Sequence, residues 1–130
     1  MSFRLTKKHR LLKSSDFKHV FDGTEIKAGS RHLSFLGCST DLGHARIGLV
    51  ISKKNAGISV QRNRIKRLSR EVFRHRNSDL PSIDIVLIAK HGVSALSNPD
   101  ILALLNRLFD TMIEQYKKRI VSREKLASTC

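Results

Sequence analysis

The chain has 130 residues, with 25 Lys and Arg against 11 Asp and Glu, a formal net charge of +14. That length suits one compact domain with tails, residues 1–130, and a hydrophobic content of 40% is too high for a disordered basic tail. The charge calls for a polyanionic partner, nucleic acid first; an acidic membrane surface would need a basic helix with a Trp- or Phe-rich insertion face, and Trp is absent. Cys38 and Cys130 are too few for a disulfide framework, so free thiols in a reducing cytosol are expected. The N-terminus lacks the apolar stretch of a signal peptide, and nothing approaches the ~20 apolar residues of a membrane span. The expectation is a cytoplasmic protein.

Taken in chain order, residues 1–13 form a basic arm carrying Arg4, Lys7, Lys8, Arg10 and Lys13 without an acid. Ser14 or Ser15 can cap a short helix in which Phe17, Val20 and Phe21 share a face, with Gly23 ending it. Arg31 to Ser39 reads as a half-buried strand, with Leu33 and Phe35 on one face and Leu36 and Cys38 offset from them. A turn at Asp41-Leu-Gly-His44 precedes a second β run, Arg46 to Ser52, and the two runs are expected to pair as an antiparallel hairpin.

The period then changes. Ile65, Leu68, Val72 and Phe73 predict a helix over Val60 to His75 with Ser59 as its N-cap. Asn77 to Pro81 breaks it, and Ile83 to Ala89 follows as a nearly continuous apolar strand, the pattern of a doubly covered position. The β-helix-β order places that strand parallel to one before the helix. Asn98-Pro99-Asp100 starts a last helix, with Asn98 as cap and Ile101, Leu104, Leu105, Leu108, Met112 and Ile113 as its apolar stripe; it should fade near Tyr116 to Arg119 and leave a frayed tail over 119–130.

The most informative stretch is Val60 to Arg74. At ~100° per residue, Asn63, Lys66, Arg67, Arg70 and Arg74 gather opposite Ile65, Leu68 and Val72, with Arg62 and Arg64 flanking them. Glu71 is the only acid there, so like charges at helical spacing lack their usual i, i+4 partners. An ordinary solvated face would intersperse acids. Arg, which predominates, has a planar fork suited to phosphate oxygens. These features predict a nucleic-acid-binding domain.

Arg62-Asn-Arg64, continued by Ile65-Lys-Arg67 and Arg70-Glu-x-Phe-Arg74, resembles the signature helix of the bacterial ribonuclease P protein family. Three more stretches agree in order and approximate spacing: Leu12 to Phe17 with Val20-Phe21, Arg46 to Lys54, and Asp84 to Lys90. The resemblance covers about residues 5 to 118. One departure is the link Asn55 to Gln61, a residue longer than in many members. The resemblance implies an α/β sandwich, a small mixed sheet of about four strands packed by helices, with a left-handed crossover where general physics favours the right-handed one. It also implies that the chain is the non-catalytic protein subunit of an endoribonuclease. The active site and its Mg²⁺ ions would lie on the RNA subunit and substrate, and no obligate protein partner is implied. The protein would bind ribonuclease P RNA through Arg62, Asn63, Arg64, Lys66, Arg67, Arg70 and Arg74. The 5′ leader of precursor tRNA would lie in a cleft offering Phe17, Phe21, Phe35, Lys53 and Lys54, a set compatible with single-strand binding; Phe17, Val20 and Phe21 as a plain core stripe is the competing account.

Two other functions compete. A protein nuclease would need clustered carboxylates or a positioned acid and base, but Asp16, Asp22, Asp41, Asp84 and Glu114 are scattered, as are the histidines; no catalytic or metal-ligating residue is expected. Asp84 should hydrogen-bond locally or pair with an Arg of the signature helix. A ribosomal protein or general RNA chaperone, with no role in cleavage, would share the composition. A helix-turn-helix DNA reader lacks its second helix.

Overall fold

The computed structural model describes residues 9–11 and 13–128, with side chains described as far as residue 119. Most of the basic arm and Cys130 lie outside the described residues. Helix α1 (Ser14–Asp22) contains both serines that were expected to cap it. Lys13 takes the cap position, and its backbone N–H donates to Asp16 Oδ2 at 3.4 Å. Gly23 closes the helix as expected, donating its N–H to His19 O at 3.0 Å. Strand β1 (Ile26–Gly29) had no counterpart in the sequence expectations, because four residues are too short to display a period.

The expected hairpin between residues 31–39 and 46–52 does not form. β2 (Leu33–Ser39) pairs antiparallel with β1 and with β4 (Ile83–Ala89), while β3 (Arg46–Val50) pairs parallel with β4, giving the order β1-β2-β4-β3. The reason is β4 itself, buried at six of its seven positions. A strand so apolar on both faces takes a central slot, and by taking it β4 separates β2 from β3. The parallel pairing of β3 and β4 around the intervening helix is as expected.

Between them, α2 (Lys53–Ala56) is a single turn capped by Ser52, whose Oγ accepts the Asn55 N–H at 3.2 Å. Helix α3 (Ser59–Arg76) begins with Ser59 inside it, so Ile58 rather than Ser59 occupies the cap. Helix α4 (Asn98–Ser128) departs from expectation at both ends. Ser97 caps it, its Oγ accepting the Asp100 N–H at 3.3 Å. It also runs on past Tyr116 to Arg119. No Gly or Pro interrupts residues 100–128, Glu114 and Lys118 pair at 3.4 Å one turn apart, and Arg119 reaches Glu25 at 3.4 Å.

Helices α3 and α4 cover one face of the sheet, and α1 covers part of the other. Under α3 and α4 the main core joins Leu33, Phe35, Ile85 and Leu87 of the sheet to Ile65, Leu68, Phe73, Ile101, Leu105 and Phe109. The Phe35 and Phe109 rings meet edge to face with centroids 4.7 Å apart, a favoured aromatic geometry. Under α1 a smaller cluster joins Val20 to Cys38 and Val86. Arg76 ties the end of α3 to α4, donating to Asn106 Oδ1 at 3.1 Å and pairing with Asp110. Leu68 is 4% exposed, so Leu68→Ala should lower unfolding free energy by about 2–5 kcal/mol in denaturant titrations; an unchanged midpoint would contradict this orientation of α3.

Candidate nucleic-acid interface

Helix α3 is built in two halves that the sequence separates cleanly. Ile65, Leu68, Val72 and Phe73 are buried, along with Ser69, whose hydroxyl donates to Ile65 O at 2.8 Å. The opposite side presents Asn63, Arg67 and Arg70 exposed, with Lys66 and Arg74 half-buried beside them. Arg67, Arg70, Glu71 and Arg74 line an open groove along this side. Among the described residues no hydrogen bond or ion pair engages the side chains of Arg62, Lys66, Arg67, Arg70 or Arg74, and Arg62 Nε is buried without a partner. Such a ridge meets the requirement for neutralising several phosphates at once.

Arg64 does not belong to that ridge. Its guanidinium donates to Gln61 Oε1 at 3.0 Å, Leu96 O at 3.2 Å, Asn98 Oδ1 at 2.6 Å and Ser94 O at 3.0 Å. With its donors so occupied it fastens the first turns of α3 to the segment that leads into α4. Asn98, expected as a helix cap, is instead one of its acceptors. The sequence placed Arg64 at the flank of the cationic face; acceptors that come from thirty residues downstream were beyond its reach.

The expected cleft is assembled only in part. Phe35 is fully buried against Phe109 on the α3–α4 face, so it faces away from any strand bound beside α1. The alternation decides this: Leu33 and Phe35 point to the main core, and Leu36 points to the α1 side. Phe17 is half-buried and lies over Gly48, where a Cβ would stand 2.5 Å from the ring. Only Gly lets the aromatic ring approach the strand so closely. Phe21 is 46% exposed at the far end of α1.

Beside these rings α1 leaves Leu36, Val50 and Ile88 half-buried, an apolar strip on the sheet. That strip was legible from the one-residue offset of Leu36 and from the period of β4, but aromatic residues drew the expectation to Phe35. Lys53 and Lys54 are exposed in α2, beyond the carboxyl end of β3. Asn55 anchors that turn by donating to Ala89 O at 2.9 Å. Lys90, at the end of β4, donates to Ser30 O at 2.8 Å. The strip therefore runs toward lysines at one end of the sheet.

Asp84 pairs with a strand residue and not with the signature helix. It is 1% exposed and accepts from Arg46 Nε at 2.8 Å and Nη2 at 2.6 Å, its register partner on β3. The Asp84 hydrogen bonds hold the Arg46 guanidinium above its ordinary pKa, so it is permanently charged. Arg46 also stands 3.9 Å from Asp16 in the first turn of α1, which links that helix to the sheet beside Phe17. Burial, then the Glu25 and Asp84 charges, push the Cys38 thiol up and keep it protonated. The histidines are less dispersed than their spacing suggested: His9 and His44 meet edge to face at 5.2 Å. Among the described residues no three His, Cys, Asp or Glu side chains group as metal ligands, and no helix is long and apolar enough to cross a membrane.

This architecture has known counterparts. The sequence pattern of the family described as Ribonuclease P matches residues 5–113. The chain is 43% identical over 112 residues to the ribonuclease P protein component of Marinobacter nauticus, covering 86% of this chain and 84% of that protein. To the same component of Pseudomonas aeruginosa PAO1 it is 42% identical over 104 residues, covering 80% and 77%. Among solved structures, the RNase P protein of Staphylococcus aureus superposes with a TM-score of 0.74 at 28% identity, over 78% of this chain and 93% of that one. The RNase P protein of Thermotoga maritima gives 0.61 at 26% identity, over 83% and 94%.

The two kinds of arginine on α3 should separate experimentally. Arg67→Ala should weaken RNA binding and leave the unfolding midpoint unchanged. Arg64→Ala should lower stability by about 1–3 kcal/mol, because it strands carbonyl oxygens of the 94–96 turn. Equal thermal stability of the two variants would contradict this division.

Proposed function

Because this chain belongs to the Ribonuclease P protein family, the protein subunit of an RNA-based endoribonuclease, we propose that it binds ribonuclease P RNA through the α3 ridge and the 5′ leader of precursor tRNA along the sheet strip beside α1. The observation that carries the first part is the row Arg62, Lys66, Arg67, Arg70 and Arg74, without partners among the described residues, on a helix whose other side is locked in the core. The second part is supported by Phe17, Phe21 and the Leu36–Val50–Ile88 strip, with Lys53 and Lys54 at one end. Aromatic and apolar surface beside cations binds unpaired nucleotides with little sequence preference.

The division of labour follows from what each surface recognises. Ridge cations displace counterions from folded RNA, giving an affinity that falls steeply with salt. The strip contacts a segment that precursor tRNA has and mature tRNA lacks, so its binding energy discriminates substrate from product. In this proposal Mg²⁺ supplies the metal chemistry of the reaction and is held mainly by the RNA subunit and substrate. The protein's part is electrostatic and positional. We place the reaction in the cytoplasm.

By offsetting phosphate repulsion the protein should lower the Mg²⁺ concentration at which the RNA cleaves. Precursor tRNA cleavage by bacterial ribonuclease P RNA, titrated with Mg²⁺, should show a large protein-dependent gain at low Mg²⁺ that vanishes when the leader is removed. Identical Mg²⁺ curves with and without the protein would refute the proposal.

A further inference from the structure

Strand β4 runs on past the point where β3 stops pairing with it, and a carbonyl at its end takes its hydrogen bond from a side chain. Along an antiparallel pair, residues that exchange hydrogen bonds alternate with residues that turn theirs away. The Lys90 N–H donates to His32 O at 2.9 Å on the β2 side, so Ala89, one residue earlier, directs its backbone groups toward β3. The parallel ladder ends with Val50 opposite Ile88, and its next donor would come from Ser52. Ser52 instead caps α2. The Asn55 side-chain amide fills the missing rung, donating to Ala89 O at 2.9 Å. Ala89 is buried, and a buried carbonyl holds such a donor firmly, because leaving it unpaired is costly.

We propose that Asn55 is a positioning residue for leader binding: it acts through Lys53 and Lys54, holding those two cations at the end of the sheet strip. The inference rests on the leader-binding role of the strip and names the residue on which its cations depend. A helix of one turn such as α2 does not hold its own shape or direction. On its far side the link to α3 leaves it room to pivot, since Gly57 has φ +86° with nothing within 4 Å of where a Cβ would stand, and Ile58 is exposed. Ala56 packs into the core, but a methyl group fixes depth and not direction. The Asn55 hydrogen bond supplies direction. Lys53 and Lys54 are exposed, with long side chains free to sample many rotamers. Fixing the backbone that carries them reduces the entropy lost when they engage a phosphate of the leader.

The test uses the full chain carrying Asn55→Ala, reconstituted with bacterial ribonuclease P RNA. Binding and cleavage are measured for precursor tRNA with its leader, and binding for the same tRNA without it, beside the pair Lys53→Gln/Lys54→Gln and the combined triple variant. Asn55→Ala should weaken binding of the leader-bearing substrate roughly fivefold, the effect of one lost hydrogen bond. KM should rise and the cleavage rate at saturation stay unchanged. Affinity for the leaderless tRNA and for ribonuclease P RNA should remain at wild type. In the triple variant Asn55→Ala should add almost nothing to the loss caused by the lysine pair, because it acts through them. A merely structural asparagine would lower the unfolding midpoint without that coupling. Equal loss on both substrates, full additivity with the lysine pair, or unchanged leader affinity in Asn55→Ala would each overturn the proposal. Equal binding of leader-bearing and leaderless tRNA by the wild type would overturn the leader-binding reading itself.

Discussion

A helix carrying a row of cations without partners among the described residues is under internal repulsion, and the molecule depends on the burial that holds α3 in place against it. Like charges at i and i+4 destabilise an isolated helix by a few tenths of a kcal/mol per pair, whereas each buried Leu or Phe contributes roughly 1.5–3 kcal/mol. Ile65, Leu68, Val72 and Phe73 therefore outweigh the charge row comfortably. Both ends of α3 are then fastened by arginines turned inward, Arg64 to the 94–98 segment and Arg76 to Asn106 and Asp110 on α4. Holding the ridge rigid lowers the entropy that would otherwise be lost on binding a structured RNA.

The same residue type thus performs opposed tasks within a few turns. Arg67 and Arg70 are left without partners among the described residues, while Arg64, Arg46 and Arg76 are consumed by internal acceptors. Helical phase distinguishes them only partly. What separates them is whether a carbonyl or carboxylate from another element arrives within reach, and that is a property of the packed tertiary structure. Asp84 shows the same logic from the acidic side: at the start of an apolar strand its charge is tolerable only because the parallel register brings Arg46 directly opposite.

Much of the fold was legible because its signals are local. The extents of β4 and the two faces of α3 follow from period and composition, and the parallel β3–α3–β4 unit follows from their order. Strand pairing was not legible, since a turn between two β runs favours a hairpin and only competition for the place beside β4 excludes it. The cleft was misjudged at Phe35 for a related reason. Which face of β2 meets α1 is settled by the whole sandwich, although the phase that puts Leu36 opposite Phe35 was present in the sequence. Capping was read late in α1, α3 and α4: Lys13 and Ile58 hold the cap positions of the first two without a side-chain cap hydrogen bond, so no polar side chain marks them, and in α4 Ser97 takes the place expected of Asn98.

The edge of β3 connects these threads. An exposed parallel edge invites pairing with another chain, and proteins commonly blunt such edges with charge or a covering segment. Here both are present, in the Arg10–Ile47 bridge and in Lys66 and Arg70 beside it. Gly48 then brings Phe17 onto the strand at that point, so the surface that deters a protein strand is rich in what an RNA strand recognises, cations next to an aromatic ring. The charges and the covering segment at this edge thus stand beside the one aromatic ring that Gly48 admits onto the strand.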